Sequence, residues 1–200
     1  LAIHGSRKTG KTSLIRRLLD LPFVAHYSPT PYLRAYEIGW HPISKPDDFV
    51  KITVWDTVVK ILPGANPALD ASTIDSITGM DGFVVLYDPR ESSTSQYAAS
   101  IISQIPPDWP TIVLANFLDQ RGMSDVMPAT LLPMSQRFIH VQTSMLNNKG
   151  LHIIARWLDA VLLFRRRQMF VTLLRITDEE LERREEELRL SIKAVDGDIE

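Results

Sequence analysis

Residues 5–14 read GSRKTGKTSL, and the reading of that stretch decides the fold. Gly5, Gly10, Lys11 and Thr12 satisfy the pattern G-x-x-x-x-G-K-[ST], with the strand-like LAIH before it and a helix-periodic segment, 11–20, after it. The chemistry accounts for the residue types. Glycines let backbone N–H groups wrap phosphate oxygens closely, and the helix N-terminus adds a favourable dipole. Lys11 is expected to reach the β- and γ-phosphates, and the Thr12 hydroxyl to coordinate Mg²⁺. The bare pattern arises by chance in roughly one chain in a hundred of this length, and the strand–loop–helix setting makes chance rarer still. The expected phosphate-binding loop is therefore Gly5, Ser6, Arg7, Lys8, Thr9, Gly10, Lys11 and Thr12. Arg7 and Lys8 stand where many such loops carry small residues. Their charge favours phosphate, while their bulk crowds the space where water and a catalytic side chain must sit.

Beyond this loop, apolar runs of strand length recur: YLRAYEIGW (32–40), DFVKITVW (48–55), GFVVLYD (82–88), PTIVLAN (110–116) and RFIHVQT (137–143). Segments with helical periodicity separate them at 11–20, 68–79, 92–104, 128–136 and 149–164. Alternating strands and helices predict a mostly parallel sheet covered by helices on both faces. YLRAYEIGW alternates apolar and polar as a half-exposed edge strand does, and HPISKPDD after it has hairpin-loop chemistry. One antiparallel edge pair is therefore expected. The stretch KILPGANPALDAST, 60–73, breaks the pattern with two prolines and a glycine and reads as a rebuilt loop.

The C-terminal part has two characters. Leu151, Ile154, Leu158 and Leu162 form one helical stripe able to cover the sheet. Ile153, Trp157, Ala160 and Phe164 form a second stripe, which suggests that this helix is also covered from outside. After the basic triplet Arg165–Arg167, DEELERREEELRLS is highly charged, with Leu174, Leu181 and Leu188 at seven-residue spacing. That predicts a long exposed helix with a thin apolar seam, solvated, folded back or paired with a partner. The domains expected are 1–165 and a charged helical tail, 166–200.

Composition narrows the function classes. Of 200 residues, 44% are hydrophobic and 23% charged, as in soluble globular proteins. A net charge of −2 gives no reason to expect nucleic acid or an anionic membrane as partner. The chain has no cysteine, so disulfides and thiolate metal sites are excluded. No apolar run approaches the ~20 residues of a membrane span, and DGDIE at the end carries no prenylation signal. Membrane attachment is thus not indicated in this stretch, and cytoplasmic residence is the default expectation. LAIH reads as the last residues of a strand, so the sequence is expected to be a piece of a longer protein.

Four further signals agree in order and spacing. FVAHYSPT follows the first helix, VWDT ends a strand, ANFLD ends the fifth strand run, and QTSMLNNKGL leads into the last helix. In this order they resemble the Ras superfamily of small GTPases. WDT and TS…NNKGL look most like its Rab branch. HYSPT, DDFVKITVWD and the missing AGQ look like the divergent Rab-like protein six type (Parf) within it. The resemblance covers about residues 1 to 165. It implies a small-GTPase-like, P-loop NTPase fold with a six-stranded sheet, binding GTP or GDP with Mg²⁺. By the same resemblance Thr30 would close over Mg²⁺ and the γ-phosphate, and Asp56 would hold the metal through a water. Phe23 would lie against the guanine, although as a lone aromatic after a helix it equally suits the core. Asn116 and Asp119 match the first and last positions of the base-reading motif N-K-x-D. A carboxylate accepting from N1–H and the 2-amino group selects guanine over adenine. Thr143 and Ser144 match the TS of the last base-side loop, whose backbone N–H would contact the guanine oxygen.

The sequence also departs from that pattern. Phe117 replaces the lysine of N-K-x-D, and Met145 and Leu146 replace the residues that normally follow TS. A phenyl ring covers a base by stacking but makes no polar tie. Asp56, Thr57, Val58, Val59 and Lys60 stand for D-x-x-G-Q. β-Branched Val59 narrows the backbone angles needed to swing an N–H to the γ-phosphate. Lys60 has donors only, so it accepts no hydrogen bond from an attacking water. No catalytic residue is assigned. Two readings follow: a Rab-like nucleotide switch whose hydrolysis is very slow or partner-dependent, or a GTPase-fold scaffold serving as a structural subunit of an assembly. Protein partners are expected at the switch loops and the C-terminal helices.

Overall fold

The computed structural model describes residues 1–26, 34–56, 79–120 and 126–197, with side chains described to residue 192. All but the last residue of the predicted helix within 68–79, the loop 60–73 and the residues Thr30, Val59 and Lys60 lie outside the described residues. Two compact units are distinguished, Leu1–Val161 and Leu162–Glu200.

In the first unit six strands form one sheet: β1 (Ala2–Gly5), β2 (Arg34–Trp40), β3 (Val50–Asp56), β4 (Phe83–Tyr87), β5 (Thr111–Ala115) and β6 (Ile139–Gln142), in the spatial order β2-β3-β1-β4-β5-β6. Every pairing is parallel except β2 with β3. β2 is the edge strand, and its exposure alternates along its length as the sequence pattern requires. The central strands are apolar almost without interruption because both of their faces are covered. Ile3, Val84, Leu86, Ile112 and Leu114 point to one face, where they meet Leu14 and Ile15 of α1 (Lys11–Leu18). Ala2, Phe83, Val85, Tyr87 and Val113 point to the other, against Ala98, Ile101 and Ile102 of α2 (Ser92–Gln104). Each fully buried side chain of this size stabilises the fold by about 1.5–3 kcal/mol. This is the mostly parallel, helix-covered, small-GTPase-like architecture that the sequence implied.

The structure departs from the sequence reading in three places. The segment expected to be helical at 128–136 is a 3₁₀ turn, Leu132–Arg137. Pro133 in its first turn has no N–H to offer, and Pro128 lies just upstream. Next, α3 runs unbroken as Leu151–Gly197, with no interruption at the arginine triplet. No glycine or proline occurs between Leu151 and Asp196, and arginine is a good helix former, so nothing in the sequence stops it. Finally, the second apolar stripe is not a face waiting for an outer cover. Trp157 is buried in the same cluster as Ile154, Leu158 and Val161, Ile153 packs against that cluster, and Ala160 is exposed. The two stripes merge into one broad buried face.

Asp159 joins this helix to the turn after β2. Its carboxylate accepts hydrogen bonds from the Trp40 indole (3.3 Å) and from the backbone N–H groups of Ile43 (3.2 Å) and Ser44 (3.0 Å).

The second unit is helical and solvated. Glu180 accepts from Arg183 and Arg184, and Arg183 also pairs with Glu187. Leu174, Leu181 and Leu188 of the predicted seam are exposed, as are Met169, Phe170, Leu173, Ile176, Leu190 and Ile192. Among the described residues, no helix is long and apolar enough to cross a membrane.

Candidate functional site

In an open parallel sheet, ligands sit beyond the carboxyl ends of the strands, where the strand order reverses. Here that point lies between β1 and β4, since the chain goes from β1 to β2 and β3 on one side and then crosses to β4 on the other. The residues singled out from the sequence cluster at these strand ends. β1 ends at Gly5, β3 at Asp56, β5 leads into Asn116, and β6 leads into Thr143.

The loop from Gly5 to α1 is tightly drawn. Gly5 is paired with Leu86 of β4, and a Cβ on it would stand 2.6 Å from the Leu86 carbonyl oxygen. The Lys11 ammonium folds back to donate to the carbonyls of Gly5 (2.7 Å) and Ser6 (3.0 Å), and Thr9 is buried with its hydroxyl on the Ser6 carbonyl (2.9 Å). Burial pulls the Lys11 pKa down to about 8, with Asp56 opposing the shift and Arg7 adding to it. Arg7 and Lys8 are exposed, and the Arg7 charge acts on Lys11.

Asp56 is fully buried at the end of β3. Its Oδ2 accepts the Thr12 hydroxyl at 3.0 Å, while its Oδ1 has no hydrogen-bond partner among the described residues. Burial raises its pKa, opposed by the Thr12 hydrogen bond and by the charges of Lys11 and Arg34. A buried carboxylate oxygen without a partner, beside a hydroxyl, suits a small hard cation. Among the described residues no group of three or more His, Asp and Glu side chains forms a metal cage. Mg²⁺ in phosphate sites commonly has one or two protein carboxylates and takes other oxygens from substrate phosphates and water.

Asn116 links the two ends of the site. Its side chain, nearly fully buried, donates to the Thr9 carbonyl (3.0 Å) and accepts from the Met145 backbone N–H (3.2 Å). Three residues on, the Asp119 carboxylate accepts the Ser144 hydroxyl at one oxygen and the Gln120 amide (2.8 Å) at the other. Burial alone would raise the Asp119 pKa, but these hydrogen bonds and the charge of Arg90 outweigh it and hold the carboxyl below its ordinary value. The N–H groups of Thr143 and Ser144 are engaged within the protein, on the Ala115 carbonyl (2.8 Å) and the Lys149 carbonyl (3.1 Å). What the TS pair offers is the Ser144 hydroxyl that orients Asp119, not those two N–H groups.

Phe23 packs partly buried against the core, with the Arg17 guanidinium 5.6 Å from its ring centroid. Arg17 also donates to the carbonyls of Met145 (2.9 Å) and Leu146 (3.0 Å), fastening the last loop to α1. Sequence reasoning missed Arg17, Asp88 and Arg90. Asp88 and Arg90 sit in YDPRE directly after β4, at the same strand-end level as Asn116. That position was a signal that could have been read.

The strand order, with a phosphate-loop pattern after β1 and buried Asp56 and Asn116 at neighbouring strand ends, defines the class as a small-GTPase-like fold. No protein-family model matches the chain. Among curated proteins, Rab-like protein 6 from Homo sapiens is 27% identical over a 221-residue alignment covering 98% of this chain and 30% of the relative. The Mus musculus protein of that name has the same identity and coverage, and the Bos taurus one is 27% identical with 98% and 31% covered. The chain thus spans about 30% of the length of the curated relatives it matches. The chain is distantly similar to Rab-like proteins of the small-GTPase kind.

Proposed function

We propose that this chain binds guanine nucleotide, GTP or GDP, together with Mg²⁺, and that its own hydrolysis is very slow or needs a partner. The observation that carries the reading is the Asn116 bridge, which joins the phosphate-loop carbonyl of Thr9 to the Met145 N–H beside the Asp119–Ser144 pair. Within this reading Gly5 to Lys11 wrap the phosphates, Thr12 and Asp56 hold Mg²⁺ with Thr30 closing over it, and Asp119 reads guanine beside Phe23. The cation would neutralise charge on the phosphate oxygens. Lys11 gives up its two carbonyl acceptors for phosphate oxygens, a stronger, charge-assisted pairing. β-Branched Val59 narrows the backbone swing and Lys60 supplies no water acceptor, and even Ras with its glutamine hydrolyses at only about 10⁻⁴ per second unassisted.

The test is extraction of nucleotide from the purified protein, its identification by chromatography, and single-turnover hydrolysis. GTP or GDP with no measurable unassisted turnover is expected. ATP in the extract, or no guanine nucleotide binding on titration, overturns the reading.

Proton linkage gives a second handle. Between about pH 8 and 10.5 an unfolded chain keeps the Lys11 proton that the folded, ligand-free chain has released. Stability contributed by this group therefore rises with pH across that window and is flat below it. Phosphate oxygens beside the amine reverse the effect of burial and raise its pKa, so binding takes up a proton and affinity falls as pH rises above about 8. Calorimetric titration with GDP at high pH in buffers of different ionisation heat should show net proton uptake. Lys11→Arg should show none.

The exposed apolar side chains between Met169 and Ile192 support a second role. In it the helix engages a protein partner and the nucleotide domain is one subunit of an assembly. Effector contacts at the switch loops belong to the first reading.

A further inference from the structure

Arg90 belongs to no motif read from the sequence, yet it is firmly held beside the base-side loop. Its Nε donates to Asp88 Oδ1 at 2.8 Å and its Nη2 to Asp88 Oδ2 at 2.6 Å, and its backbone N–H returns to Oδ1 at 3.0 Å. Asp88 is buried, so this is a two-pronged pair with one partner fixed in the core edge. The Arg90 guanidinium carbon stands 4.2 Å from the centroid of the Phe117 ring. Phe117, between Asn116 and Asp119, adopts a left-handed backbone (φ 71°), which aromatic residues rarely do. The Gln120 N–H donates to its carbonyl (2.9 Å) and the Leu118 N–H to the Thr143 carbonyl (3.0 Å), so its loop is closed on both sides.

We propose that Arg90, locked by Asp88, is a positioning residue for the purine. It clamps one face of the Phe117 ring so that the other face forms a wall of the base site. The proposal rests on the reading that guanine is bound at Asp119. Without a clamp, a phenyl ring must lose its rotational freedom each time a base stacks on it. A ring already pinned by a guanidinium does not, and pre-organisation of this kind appears as affinity. The cation over the ring adds an attraction that an isolated phenylalanine lacks. Arg90 and Phe117 together thereby take the place of the missing lysine in N-K-x-D, one supplying charge and the other the covering surface. The Arg90 charge also acts on Asp119, favouring the ionised form that accepts from guanine.

The test uses the full chain and measures dissociation of fluorescently derivatised GDP and GTP from wild type, Arg90→Ala, Arg90→Lys and Phe117→Leu. Dissociation is expected to quicken about three- to tenfold in each variant. Arg90→Lys is included because an ammonium cannot make the fork to Asp88 or lie flat on the ring. The factor must be the same for GDP and GTP, since they share the base. A larger effect on GTP would place Arg90 at the phosphate end and overturn the inference. So would wild-type rates in Arg90→Lys and Phe117→Leu, with guanine binding intact. If Arg90→Ala fails to fold because Asp88 is left unpaired, the Arg90→Lys and Phe117→Leu rates decide. Failure of the wild-type chain itself to bind GDP overturns the guanine reading and the clamp with it, an outcome distinct from the other two.

Discussion

Asp119→Asn is expected to erase the preference for guanine and to admit xanthine. The carboxylate offers only acceptors, and guanine presents two donors to it, N1–H and the 2-amino group. An asparagine amide turns one of those acceptors into a donor, so it meets the guanine amino group donor to donor. Xanthine carries a carbonyl where guanine carries the amine, and the amide suits it. The substitution is nearly isosteric: the Ser144 hydroxyl can donate to the amide oxygen, and the exposed Gln120 amide can turn its own oxygen to the new NH₂. The fold is therefore kept while the donor pattern at the base changes. Sites that pair buried polar groups with a substrate discriminate by factors on the order of 10³ or more when the pairing is wrong. Competition titration with GDP and XDP measures it, and unchanged GDP affinity would remove Asp119 from base reading.

Gly10→Ala is expected to lower the melting temperature by about 10 °C and to abolish nucleotide binding. Gly10 caps α1 with φ 100°, a conformation that an L side chain rarely adopts. Its missing Cβ would lie 2.3 Å from Asn116 Nδ2, closer than any real contact. That nitrogen is the one bonded to the Thr9 carbonyl, so Asn116 cannot retreat without breaking the bridge. Backbone strain costs about 1–3 kcal/mol, and a buried polar group left without its partner about 1–3 more. At about 2–4 °C per kcal/mol for a domain of this size, the sum gives the shift stated. Thermal melting in the absence of nucleotide reads the structural part, and GDP titration reads the functional part.

Much of this was legible in the sequence because it is written locally. The strands YLRAYEIGW and GFVVLYD announce themselves by alternation or by unbroken apolar character, and these depend on the chain alone. The phosphate loop is likewise a contiguous pattern. Features that depend on meetings between distant residues were not legible. Trp157 looked like a second stripe because periodicity counts faces without knowing how wide the covering surface is. The 3₁₀ turn at Leu132–Arg137 hides behind a helix-like spacing that Pro133 distorts. Arg17 and Arg90 carry no motif: their roles come from the Met145 and Leu146 carbonyls and from the Phe117 ring, brought near only by folding. The roles proposed for Thr30, Val59 and Lys60 rest on sequence pattern alone.

The two hydrogen bonds of the Asn116 side chain have one more consequence. Because one amide spans Thr9 and Met145, the two ends of the site share a mechanical element and cannot be ordered independently. On the proposed reading, a ligand fragment that settles one end would remove part of the conformational entropy the other end has to lose. Thermodynamic reciprocity then requires that a polyphosphate raise the affinity for a nucleoside by the same factor as the nucleoside raises that for polyphosphate. Asn116→Ala should bring that factor toward one. The intact nucleotide would then bind as two nearly independent halves joined by a ribose.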